Sequence, residues 1–263
     1  MPLEKPKSIT PDVAVPRDIT PVPARFFRGP DAYIARTPWS AWAGSAAAVG
    51  IFLGAVVAVT IVVIIAWAKN HNPTEVFVTI ASTLVQQIAI ICLTWYAAVL
   101  YGGKPVEVLA LHPPAQGWKA YPIAFALLIA LTLIMNFTIQ AFDAGVGKED
   151  VAIYRDMMKS TWWWLALVIV GIGAPVSEEL LCRGFLFSAL ASSRLGKAGA
   201  AVITSAAFAI AHPYSIVGVA QVFLIGVLFA WMLIRTGSLR VTMVCHAVFN
   251  TAMAILMLAN LDG

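Results

Sequence analysis

The chain has 263 residues, of which 60% are hydrophobic and only 11% charged, with a mean hydropathy of +0.86 and a formal net charge of +4. Soluble domains carry roughly 25% charged and 45–50% apolar residues, so this composition excludes an ordinary soluble protein and points to a polytopic α-helical membrane protein. The Lys and Arg residues sit in short connections between apolar runs rather than in one patch, which argues against nucleic acid as a partner.

Residues 1–40 are polar and Pro-rich, with Pro2, Pro6, Pro11, Pro16, Pro21, Pro23, Pro30 and Pro38 among them. They lack the apolar core of a cleavable leader and read as a flexible tail, expected to touch the membrane surface near Phe26, Phe27 and Tyr33. Residues 41–160 read as an accessory transmembrane region with spans at 43–67, 77–101 and 121–142. Gly50 and Gly54 in the first make a GxxxG pair suited to close helix packing, a spacing that ordinary spans also contain. An amphipathic loop, 102–120, separates the second span from the third and is expected, with the first three spans, to shape substrate entry.

Residues 161–263 contain apolar stretches at 162–191, 198–212, 214–234 and 238–260. Pro175 lies near the middle of the first, so 162–191 is either one tilted or kinked helix or two spans. Loop charge arbitrates. As one span, with the tail inside, twelve Lys and Arg face the cytoplasm and four (Lys69, Lys148, Arg155, Lys159) face the far side. Splitting at Pro175 gives eight against eight. The positive-inside rule therefore favours an all-α bundle of about seven spans over eight, with the N-terminus cytoplasmic. Trp42, Trp67, Trp162, Trp163, Trp164 and Trp231 then fall near span ends, as an aromatic belt does.

Polar and ionisable residues interrupt the last spans in three groups: Glu178-Glu179 with Arg183, Phe208 with His212, and His246 with Asn250. A charged residue at a helix centre costs about 2.5–3.5 kcal/mol on an insertion scale, so these groups must face the bundle interior, pair, or line a wet cavity. In the seven-span topology Glu178 and His212 each lie about 21 Å from their cytoplasmic helix ends, and His246 and Asn250 about 12 and 18 Å from theirs. Three groups distant in sequence thus come to similar depth.

Glu179 and Arg183 are four apart on one face and form a natural ion pair; Glu178 points about 100° away without a local partner. Glu178 is therefore the reactive candidate, unless it is simply protonated beside a structural pair. His212, before Pro213, and the His246–Asn250 pair have equally ordinary explanations as polar contacts between helices. Taken together they outline water-activating chemistry. Glu178 and a histidine take a proton from water, and His246 and Asn250 offer hydrogen-bond donors to an oxyanion. Glu178, His212 and His246 alternatively supply the Glu/His₂ ligand set of a catalytic zinc, although no HExxH spacing supports a metal.

In this order on successive membrane helices, EExxxR, FxxxH and HxxxN resemble the motifs of the CPBP family of intramembrane proteases, which includes the CAAX prenyl endopeptidases and bacteriocin-processing or immunity relatives. The resemblance covers about 162–260. It implies a membrane-embedded peptidase in which Glu178 and His212 activate the water. Glu179, Arg183 and Phe208 support them, and His246 and Asn250 form the oxyanion site. The family has been called a metalloendopeptidase, but the better-studied members look metal-independent, so no cofactor is expected, with one zinc ion as the alternative. One departure stands out: the residue before the motif arginine is usually aromatic in the family and is Cys182 here, a change that widens the cavity or alters substrate fit. A thiol nucleophile at Cys182 or Cys245 is disfavoured by its apolar surroundings. The expected partners are the lipid bilayer and a membrane-anchored or lipidated peptide or protein cleaved near its C-terminus, and the expected location is a bacterial cytoplasmic membrane. A proton-coupled transporter, or a catalytically idle immunity or scaffold protein, are the competing readings.

Overall fold

The computed structural model describes residues 26–27, 29–72, 75–141 and 150–260. Residues 1–25, Arg28 and Lys148, which entered the charge count above, lie outside the described residues. Eight principal helices appear among the described residues: α1 (Ala41–Ala68), α2 (Val76–Val99), α3 (Gly117–Ala141, entered through a short 3₁₀ turn), α4 (Ala152–Lys159), α5 (Trp163–Ala191), α6 (Gly196–Ile210), α7 (Ile216–Thr236) and α8 (Leu239–Ala259). No strand occurs among them.

Six of these helices, α1, α2, α3, α5, α7 and α8, are long and apolar enough to cross a membrane. The expected seventh span is α6, which has only 15 residues. At about 1.5 Å per residue it rises about 23 Å, short of a hydrocarbon core about 30 Å thick. Its C-terminal end, where His212 follows, therefore stops within the depth of the bundle.

Pro175 does not split α5. The helix continues through it by widening to π spacing over Ile169–Gly173 and again over Leu180–Leu186, on either side of an α turn that carries Glu178 and Glu179. α5 is also the central helix: 44% of its apolar stretch is buried inside the protein, against 17% for α1. α1 and α2 pack as a hairpin along one side of it, α6 and α7 pack as a second hairpin, and α8 lies against α5, α3 and α7. The GxxxG pair is only half used. A Cβ on Gly54 would sit 2.9 Å from Leu93 Cδ1 of α2, whereas Gly50 faces open space.

The tail departs from expectation where it is described. Phe26 and Tyr33 are buried, and residues 29–40 run as a strap across one end of α5, α6 and α7. Arg235 Nε donates to Phe26 O at 2.8 Å, and the backbone N–H groups of Ala32 and Tyr33 both donate to Ile234 O at 3.1 Å. Tyr33 Oη donates to Ser188 Oγ at 2.9 Å. Asp31 pairs with Lys197 and Arg235, each at 3.1 Å. Gly237 ends α7 in the left-handed region, φ 67°, and a Cβ there would come within 2.8 Å of Ala32 O. Trp231 packs against Phe26 and Phe27 and so belongs to this strap rather than to an aromatic belt. Trp42, Trp67 and Trp162–Trp164 are exposed at helix ends, where a belt residue sits.

Candidate active site

Two adjacent glutamates on one α turn have opposite environments. Glu179 is fully buried, while 26% of the Glu178 side chain is exposed. One helical step sends Glu178 toward the partly open space and Glu179 into the core. Arg183, also fully buried, donates from Nη1 to Glu179 Oε1 at 3.0 Å, the pairing expected from their spacing. Its guanidinium carbon stands 4.1 Å from the centre of the Phe208 ring, so the charge is shared between a carboxylate and an aromatic face. Gly226 of α7 makes room for it: a Cβ there would lie 2.9 Å from Arg183 Nη2.

The two histidines reach Glu178 from different helices. His212, just past the end of α6, has its Nδ1 2.8 Å from the carbonyl of Phe208. A carbonyl only accepts, so Nδ1 carries the proton and a neutral His212 presents an unprotonated Nε2. That nitrogen lies 4.0 Å from Glu178 Oε1. His246 of α8 is bracketed by both glutamates, with Nδ1 3.3 Å from Glu179 Oε1 and Nε2 3.8 Å from Glu178 Oε2. Glu179, ion-paired with Arg183, accepts from Nδ1–H and fixes the tautomer of His246. Phe208 backs His212 at a ring separation of 4.7 Å, edge to face. The separations from Glu178 exceed a direct hydrogen bond, so the carboxylate and the two imidazoles are close neighbours without being bonded to one another.

Asn250 is engaged elsewhere. Its Nδ2 donates to Val170 O at 3.2 Å, which leaves its second N–H for another acceptor. Thus Glu178, Glu179, Arg183, Phe208, His212 and His246 come together as one cluster, while Asn250 is tied by one donor to the backbone of α5. Cys182 is only partly buried and lies one turn after Glu178; Cys245 is buried, with Sγ directed at Tyr121 O at 3.8 Å. Among the described residues, no group of three His, Cys, Asp or Glu is arranged to hold a metal ion. Both imidazoles keep Nδ1 on an oxygen acceptor and turn Nε2 toward an oxygen of Glu178, an orientation common to a histidine ligand and to a histidine that accepts a proton.

Two tyrosines near this cluster escape the motifs. Tyr154 of α4 and Tyr214 share a hydrogen bond, Oη to Oη, at 2.8 Å, and the Tyr214 ring lies 5.3 Å from that of His212. Asp150 holds α4 in place by accepting from Ser215 N and Oγ at 2.7 and 2.6 Å. Burial, opposed by its bond to Tyr214 and aided by the charge of Glu178, pushes the Tyr154 hydroxyl above the ordinary phenol range. Tyr214 stands two residues after the motif histidine, but nothing in the sequence links Tyr154 to it.

Residues 160–252 match the family model described as type II CAAX prenyl endopeptidase Rce1-like. The match supports the resemblance of this stretch to the CPBP family and to a CAAX-protease type of domain, set in a chain with six helices long and apolar enough to cross a membrane. It begins just before α5 and ends within α8, so it encloses the cluster described above. No curated protein and no solved structure matches the chain.

Proposed function

We propose that the protein is a membrane endopeptidase that cleaves a membrane-anchored or lipidated substrate near its C-terminus, with Glu178 as general base. The observation that carries this reading is the position of the Glu178 carboxylate between two imidazoles, 4.0 Å from His212 Nε2 and 3.8 Å from His246 Nε2. A water held between Glu178 and His212 loses its proton to Glu178 as its oxygen attacks the scissile carbonyl. The carbonyl electron pair moves onto oxygen, and the free N–H of Asn250 and a protonated Nε2 of His246 stabilise it. Glu179 supports that imidazolium through Nδ1, as a buried carboxylate does in a hydrolytic triad. When the tetrahedral carbon collapses, the C–N bond breaks and Glu178 returns its proton to the departing amine. No step requires a metal.

The bilayer is one partner, and the substrate is held in it or at its surface. The tail-side placement of Arg36, Lys104, Lys119, Arg194, Lys197, Arg235 and Arg240 supports a cytoplasmic N-terminus, and the location proposed with it is a bacterial cytoplasmic membrane. The test compares wild type with Glu178→Gln on prenylated and unprenylated C-terminal peptides, with and without chelator. Loss of an acid–base group lowers the rate by about 10²–10⁴. Chelator-resistant cleavage by wild type, reduced to that extent in the variant, supports the proposal. Equal cleavage by both proteins refutes Glu178 as the base, and cleavage abolished by chelator and restored by zinc refutes the metal-free mechanism.

A further inference from the structure

Proline 175 leaves an unmet demand in α5. It has no N–H, so in α spacing the carbonyl of Gly171 loses its donor, and in π spacing the carbonyl of Val170 does. In a membrane interior no solvent replaces that donor. Side chains from two other helices do. Asn250 Nδ2 donates to Val170 O at 3.2 Å and Thr251 Oγ1 to Gly171 O at 3.4 Å, both from α8. Gln87, on α2, donates from Nε2 to Ile169 O at 3.1 Å, a carbonyl that also receives the π-spaced Ala174 N–H. Three consecutive carbonyls, 169 to 171, are thus held by three side chains.

The sequence accommodates this clasp at both of its glycines. A Cβ on Gly173 would collide with Gln87 Oε1, and a Cβ on Gly171 with Thr251 Oγ1. The run from Gly171 to Glu179 therefore reads as one device: two glycines admit the clasping side chains, the proline opens the bulge, and the glutamates follow within a turn. Gln87 itself is 5% exposed, and its Oε1 has no hydrogen-bond partner. A side chain kept only for packing has no reason to bring a buried, unpartnered oxygen to that spot.

We propose that Gln87 is a positioning residue for Glu178, acting through the Pro175 bulge by anchoring the first of its three clasped carbonyls. The inference rests on the reading of Glu178 as general base. It also gives the accessory region a role in catalysis: α2 lies outside the matched family segment, yet it sets the angle of the helix that presents the carboxylate. Asn250 then serves two ends with its two N–H groups, one on the bulge and one toward the substrate.

The test uses Gln87→Met and Gln87→Asn in the full-length protein in detergent. Thermal midpoint, hydrogen–deuterium exchange over 165–180, and kcat and KM on the peptide panel are measured together. Met removes the donor and the orphan acceptor while keeping the length. Expected for Gln87→Met are an unchanged or raised midpoint, faster exchange confined to 174–179, and kcat lowered about 10- to 100-fold at constant KM, the scale on which small misplacements of a catalytic group act. Gln87→Asn, too short to reach, repeats the local exchange change. Unchanged exchange and kcat in Gln87→Met overturn the proposal, as does a lowered midpoint with faster exchange throughout. Should wild type cleave nothing, local exchange confined to 174–179 still supports the clasp while the general-base reading falls, and absent local exchange overturns both.

Discussion

Removal of the guanidinium at position 183 tests the buried electrostatics of the site. In Arg183→Ala, Glu179 keeps its full burial but loses the Nη1 donor at 3.0 Å, and the Phe208 ring loses the cation 4.1 Å above it. Breaking a buried pair by deleting one partner costs about 3–5 kcal/mol, because the remaining charge stays desolvated. On the scale of soluble domains of similar length that is about 6–20 °C in thermal midpoint. Arg183→Met together with Glu179→Gln removes both charges at similar volume, and such double replacements are often neutral. The double variant is therefore expected to recover most of the midpoint. It should not recover activity, because His246 Nδ1 then faces a neutral amide instead of a carboxylate. Thermal unfolding in detergent and peptide cleavage, measured on the same preparations, read the two effects separately. A single variant as stable as wild type, or a double variant no more stable than the single, refutes the reasoning.

Gly226→Ala places a methyl 2.9 Å from Arg183 Nη2 and 3.0 Å from Ser205 Cβ, and is expected to destabilise by about 1–3 kcal/mol through overpacking. The same exchange at Gly50, which faces open space, should be close to neutral in the same unfolding assay. Burial raises the Asp31 carboxyl, but hydrogen bonds and charge from Lys197 and Arg235 outweigh it and hold it below its ordinary value of 3.8. A depressed acid stabilises the fold fully above its unfolded value and loses that contribution as pH falls through the folded one. Protease sensitivity of residues 26–40 should therefore rise only as pH drops below about 3.8, and Asp31→Asn should flatten that rise. A rise that persists unchanged in the variant would assign it to another group.

Much of this architecture was legible from hydropathy, because apolar length alone marks the long spans. Loop charge chose one helix over 162–191, and α5 is continuous through Pro175. The shared depth of Glu178, His212 and His246 also followed from topology, since helical rise converts residue count into distance. Other features were out of reach. The π spacing that carries α5 past its proline depends on Gln87, Asn250 and Thr251, whose partners are backbone atoms 80 or more residues away. Such partners leave no periodic trace in the sequence. Tyr154 was invisible for a related reason, since its partner is the Tyr214 hydroxyl, 60 residues away. In the strap, a Pro-rich composition suggested a loose tail, whereas Phe26 and Tyr33 find a preformed apolar surface made by helices much later in the chain.

That last arrangement bears on biogenesis. Arg235 meets Phe26 and Asp31 across sequence separations of 209 and 204 residues. During synthesis the strap segment emerges first, and its docking surface is completed only after α7 has entered the membrane. Contacts so distant in sequence are slow to close and come late in folding. The interval leaves Phe26 and Tyr33 unshielded while seven helices are made, which is when chaperones or proteases have access to them. A bulky fusion placed just ahead of the strap would lengthen that interval. Yield of correctly assembled protein, rather than turnover by the mature form, is where its effect would register.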